Sequence, residues 1–126
     1  MPKIRVAVVN DQTAVNELWR QMLDMTDDME CVGTARSGLE AVELTDAAKP
    51  DIVVMDVMMP GMDGHEATRI IRERHPNTQV VVYSAYNGME QGAYEAGAAA
   101  YLLMPIGPDK LRETIRQVYR TYHKST

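Results

Sequence analysis

Five short apolar runs punctuate the chain, and between them apolar side chains recur every three to four residues. That pattern predicts strands alternating with amphipathic helices. The run Ile4–Val9 predicts a first strand, after which Val15, Leu18, Trp19, Met22 and Leu23 mark one face of a helix. A second strand is predicted over residues 30–35. It leads to Ser37-Gly38-Leu39-Glu40, a capping box opening a helix that runs to about Lys49, just before Pro50. Ile52-Val53-Val54-Met55 then delivers Asp56; a short β-branched run of this kind reads as a strand buried on both faces. Asp63 to Glu66 forms a second capping box, and the helix behind it carries Ala67, Ile70 and Ile71 until Pro76 stops it. Residues 80–83 predict the fourth strand. Asn87 to Glu90 caps a short helix containing Gly88, Gly92 and Gly97, three glycines that weaken it. Residues 100–103 predict the fifth strand, and Pro108 starts a last helix whose apolar face is Leu111, Ile115, Val118, Tyr119 and Tyr122.

Five such strand-then-helix units imply one α/β domain, a doubly wound parallel sheet with helices on both faces. The 126 residues suffice for one core without disulfides or metals. Thirteen Lys and Arg against eighteen Asp and Glu give a net charge of −5, which argues against direct nucleic-acid binding. The lone Cys31 has no partner for an internal disulfide, and no leader or apolar span of about 18 residues is present. The chain therefore reads as cytoplasmic, with no membrane partner.

Parallel strands bring their carboxyl ends to one rim, which here would gather Asn10-Asp11, Asp56, Ser84 and Met104. Two carboxylates and a hydroxyl at one edge suit Mg²⁺, and a carboxylate beside such a metal can attack a phosphoryl group. Each residue alone has a plainer role: Asp56 as a loop cap, Asn10-Asp11 as turn residues, Tyr101 as strand packing. Met55, Met58, Met59 and Met62 resemble a thioether cluster for Cu(I), but soft side chains around a buried loop fill gaps more often. His65, His75 and His123 read as solvated surface, Cys31 as a small buried hydrophobe, and Arg112, Arg116, Arg120 and Lys124 as the wet face of the last helix.

Asp56 through Met58-Met59-Pro60-Gly61-Met62-Asp63-Gly64, with Tyr83-Ser84-Ala85 and Ala96-Gly97-Ala98 ahead of Tyr101-Leu102-Leu103-Met104-Pro105, resembles the response-regulator receiver domain of two-component signalling. The resemblance covers essentially the whole chain, 1–126, with any output domain expected outside it. It implies the flavodoxin-like fold, five parallel strands in the order 2-1-3-4-5. It further implies Asp56 as phosphoacceptor, Mg²⁺ held by Asp11, Asp56 and the Met58 backbone carbonyl, Asn10 behind the metal ligands, Ser84 as the hydroxyl on the phosphoryl group, and Tyr101 as the switch. A cis Met104-Pro105 bond belongs to the same pattern, and Met58 and Tyr86 would flank the acyl phosphate and slow its hydrolysis. The implied partner is a histidine kinase or phosphotransfer protein, with a possible homodimer through the fourth helix, fifth strand and last helix. Such a domain turns over no free substrate.

Two positions depart from the family pattern. Asn10 stands where an acid is usual, and Met104 where lysine is usual. One negative and one positive charge are lost together, so the net charge of the site is unchanged and the two positions are expected to compensate. The rival expectation is a degenerate receiver that binds proteins without phosphorylation. An Asp-nucleophile phosphohydrolase would favour a second acid where this chain has Met58.

Overall fold

Val, Ile and Ala crowd both sides of the apolar runs, so these pair into an inner sheet that helices cover front and back. The computed structural model describes residues 2–57 and 62–123. Its elements are β1 (Ile4–Val9), α1 (Thr13–Asp24), β2 (Met29–Ala35), α2 (Gly38–Ala48), β3 (Ile52–Asp56), α3 (Gly64–Arg74), β4 (Gln79–Ser84), α4 (Glu90–Glu95), β5 (Ala100–Leu103) and α5 (Pro108–Tyr122). The strands are all parallel in the order β2-β1-β3-β4-β5, as the resemblance implies.

Alternation along the strands sorts the core into two layers. Val6, Val8, Ile52, Val54, Val81, Tyr83 and Leu102 face α1 and α5, packing on Trp19, Leu23, Leu111 and Ile115. Ala7, Val9, Val53, Met55, Val80 and Val82 face the other way, onto Val42, Ala67, Ile71 and Ala93. The order reverses direction between β1 and β3. There the chain leaves β1 for one face and β3 for the other, which opens a crevice at the carboxyl ends of the two strands.

Both capping boxes form at their first bond: Ser37 Oγ accepts from Glu40 N at 3.1 Å and Asp63 Oδ1 from Glu66 N at 2.8 Å. Gly64 is where α3 meets the strand end. A Cβ there would lie 2.4 Å from the Asp56 carbonyl oxygen and 2.7 Å from Val57 Cα, so only glycine permits this approach.

Other expectations need correction. α4 has no side-chain cap; Glu90 Oε1 accepts instead from Gly88 N at 3.0 Å, and Asn87 does not cap the helix. Of the three glycines only Gly92 is helical, since Gly88 and Gly97 take positive φ on either side. Leu18 is 64 % exposed, because Trp19, Met22 and Leu23 already fill the face of α1 turned to the sheet. The histidines are half-buried against neighbours, in place of standing free on the surface. His75 Nε2 meets Asp46 Oδ1 at 2.6 Å, His123 stacks on Tyr119 and bonds the Asn77 carbonyl at 2.8 Å, and His65 tucks against Gly92. Cys31 is only half-buried, with its thiol pushed up mainly by desolvation. Arg116 forms a two-pronged pair with Asp28 and Arg112 bonds Thr26 and Asp109, so two of the basic residues on α5 tie it to its surroundings. Lys124 lies outside the described residues.

Candidate functional site

Asp56 is the last residue of β3 and is half-buried at the rim. Asp11 follows the end of β1, the adjacent strand, and is also half-buried. The two acids therefore follow the carboxyl ends of neighbouring strands, on the rim where the chain leaves β1 and β3 for opposite faces. Among the described residues no group of three or more His, Cys, Asp or Glu could hold a metal ion. A pair of carboxylates with room for waters is nevertheless the donor set that suits Mg²⁺, which keeps much of its hydration. Met58, the expected source of a carbonyl ligand, lies outside the described residues, as do Met59, Pro60 and Gly61.

Asn10 is buried, and every polar atom of its side chain is engaged. Its Oδ1 accepts from Gln12 N at 2.8 Å, and its Nδ2 donates to the hydroxyl of Tyr83 at 2.7 Å. Asn16 secures the same turn from α1, donating to the carbonyls of Asn10 at 2.8 Å and Ala35 at 3.0 Å. From the sequence, Tyr83 enters only within the Tyr83-Ser84-Ala85 motif, without a role of its own, and Asn16 does not enter. The available signal was a polar group at a core-facing position: a phenol closing the apolar run Val80-Val81-Val82, and an amide on the buried face of α1.

Tyr83 pairs in register with Asp56, and its ring faces the α1 and α5 layer. Burial pushes its phenol well above the ordinary value, the nearby Asp56 and Asp11 charges push the same way, and the bond from Asn10 opposes them. The phenol is thus neutral, and both carboxylates lie close enough to act on it.

Ser84 ends β4, fully buried. Its Oγ accepts from Tyr86 N at 3.0 Å, and the Tyr86 carbonyl accepts from the Tyr101 hydroxyl at 2.9 Å. One peptide segment of the β4–α4 loop therefore joins the two residues expected to act together. Met104 N donates to the Ser84 carbonyl at 2.7 Å, the Met104 side chain packs against the α1 and α5 core, and the Met104-Pro105 bond is cis as expected. No helix among the described residues is long and apolar enough to cross a membrane.

The chain is similar to known proteins over most of its length. Residues 6–116 match the family described as response regulator receiver domain. Transcriptional regulatory protein YhcZ of Bacillus subtilis is 36 % identical over 123 residues, which make up 96 % of this chain and 57 % of that protein. A protein-glutamate methylesterase/protein-glutamine glutaminase of Thermotoga maritima is 39 % identical over 121 residues, 91 % of this chain and 34 % of that one. The chain spans about half the length of the transcriptional regulators it matches. Among solved structures, the response regulator domain of Thermotoga maritima CheB superposes with a TM-score of 0.84 at 33 % identity, covering 92 % of this chain and 96 % of that one. A LuxR-family two-component response regulator from Aurantimonas gives 0.88 at 30 % identity, covering 94 % and 86 %.

Proposed function

Because this chain belongs to the response regulator receiver domain family, we propose that Asp56 accepts a phosphoryl group from a histidine kinase or phosphotransfer protein in the cytoplasm and signals through α4 and β5. Receiver domains generally bind Mg²⁺, and Asp11, Asp56 and the Met58 backbone carbonyl are the groups that would hold it here. When bound, the ion supplies positive charge against the phosphoryl oxygens as the transfer proceeds. A carboxylate oxygen of Asp56 attacks the phosphorus of a phosphohistidine; the O–P bond forms as the P–N bond breaks, and the imidazole, whose other ring nitrogen already carries a proton, leaves neutral with the P–N electron pair. The domain is consumed as acceptor once per event and turns over no free substrate.

The observation that carries this reading is the link from Ser84 through Tyr86 to Tyr101. The Ser84 hydroxyl, which now accepts from Tyr86 N, has a proton to donate to a phosphoryl group on Asp56; a bond to that charged acceptor is strong enough to pull Oγ toward it and away from the Tyr86 amide. Loss of Ser84 as acceptor would free the Tyr86 peptide and with it the anchor of Tyr101. The change would then pass into α4, which has no side-chain cap to hold its start.

The test is intact mass after treatment with acetyl phosphate and Mg²⁺. The expected result is a gain of one phosphoryl group in the wild type and none in Asp56→Ala, with both proteins folded. An unmodified wild type would instead favour a binding module that works without phosphorylation.

A further inference from the structure

Register and side-chain alternation put Tyr83 in a position that the family pattern does not assign. It pairs with Asp56 on one side and with Leu102 on the other. Leu102 and Met104 both pack on the α1 and α5 layer, the same layer as Tyr83. Position 104 therefore shares a layer with the Tyr83 ring, and the side chain it carries there is uncharged. The hydroxyl at the end of that ring holds Asn10, 73 residues away, at 2.7 Å. Among the described residues its own proton points to the Val9 carbonyl at 3.4 Å, beyond the roughly 2.5–3.0 Å of an ordinary hydroxyl bond.

We propose that Tyr83 is a positioning residue for the Mg²⁺ site: its hydroxyl fixes the Asn10 amide, and this neutral pair takes the place of the acid and lysine found elsewhere in the family. With Nδ2 committed to Tyr83, the Asn10 oxygen is turned to the Gln12 amide at the mouth of the β1/β3 crevice. There a carbonyl oxygen can accept from a water on the metal without adding charge. Asn10 and Tyr83 thus explain each other. An acid at position 10 would have no nearby lysine to balance it, and an unpartnered amide would leave a buried donor unsatisfied, which is costly.

This inference rests on the phosphoacceptor reading only in naming Mg²⁺ as the ion, and the experiment separates the two. Mg²⁺ is titrated calorimetrically into the wild type, Tyr83→Phe, Asn10→Ala and the double variant, while acetyl phosphate labelling of the wild type is followed in parallel. Loss of a group that orients a metal ligand typically costs 10–100-fold in affinity, so each single variant should weaken Mg²⁺ by about that factor. The double variant should lose no more than Asn10→Ala alone, because Tyr83 acts through Asn10. In the unsubstituted protein, the Asn10 side-chain amide protons should exchange slowly by NMR, a measurement that requires no variant to fold. Unchanged affinity in Tyr83→Phe, losses that multiply in the double variant, or an Asn10 amide exchanging as freely as a solvent-exposed one would each overturn the role of Tyr83. A wild type that binds Mg²⁺ with the expected dependence on Tyr83 but takes no label would uphold the inference and remove the phosphoacceptor reading. A wild type that binds no Mg²⁺ would overturn the inference.

Discussion

At the scale of single residues, the site depends on a few contacts that admit little substitution. Gly64 lets α3 begin against the backbone of Asp56 and Val57, and the neighbouring atoms are main chain, which cannot step aside as a flexible side chain would. Gly64→Ala should therefore lower stability by about 1–3 kcal/mol, the usual cost of overpacking, and should displace Asp56 as well. A lower urea midpoint together with reduced acetyl phosphate labelling would bear this out; wild-type values for both would refute it. Asn10 is a second such position. The expectation that it compensates Met104 now has a competitor, since the structure pairs it with Tyr83. A cycle of Asn10→Asp and Met104→Lys, read by Mg²⁺ affinity, should still give a coupling energy of about 0.5–3 kcal/mol, because both substitutions return charge to one network. Strict additivity would mean that the two departures are unrelated.

At the scale of elements, the helices differ in how firmly they are held. α5 is long, begins with Pro108 and is fastened to the α1–β2 loop by Arg116 on both oxygens of Asp28. α4 has six residues, one of them glycine, and no side-chain cap. Local opening follows such differences, so α4 amides should exchange at least about tenfold faster than those in the middle of α5, and phosphorylation should alter α4 more. Hydrogen exchange resolved by segment measures both, and equal rates would count against α4 as the moving part. The Asp28–Arg116 pair also predicts a pH dependence. The bond from Arg116 lowers the Asp28 carboxyl below its ordinary 3.8. The stabilisation it brings is therefore fully present above that pH and is lost as pH falls through the folded-state value. Both side chains are more than a third exposed, so solvent screening keeps it to about 0.2–1 kcal/mol. Acid unfolding of Asp28→Asn should begin from a slightly lower stability and show a shallower slope below pH 4.

For the whole molecule, α4, β5 and α5 share an edge where Tyr94, Leu103 and Tyr122 are exposed. Large apolar and aromatic side chains gathered on one edge favour association. The same edge contains the end of the Ser84–Tyr86–Tyr101 link, so its shape should depend on phosphorylation. We expect the phosphorylated protein to dimerise more tightly than the unmodified one in sedimentation, and Leu103→Asp to abolish the difference while labelling continues. Dimerisation that ignores phosphorylation would separate this edge from the site.

What the sequence alone determined is what short-range signals encode. β-branched runs define strands, capping residues open α2 and α3, and the position of Asp56 at a strand's carboxyl end follows from one run and the turn residues behind it. The strand order came from motif resemblance and agrees with the sheet. Other features arose only in the tertiary structure. Alternation tells which face a strand residue takes, but not which residue of a distant strand it meets; that register is set by packing between layers. Hence Tyr83 read as part of an apolar run, although it meets Asn10 across 73 residues, and His75 and His123 read as surface, although Asp46 and Asn77 wait 29 and 46 residues away. The glycines of the α4 region were misplaced for a related reason: composition marks a weak helix, whereas the backbone path between β4 and β5 decides which of them is helical.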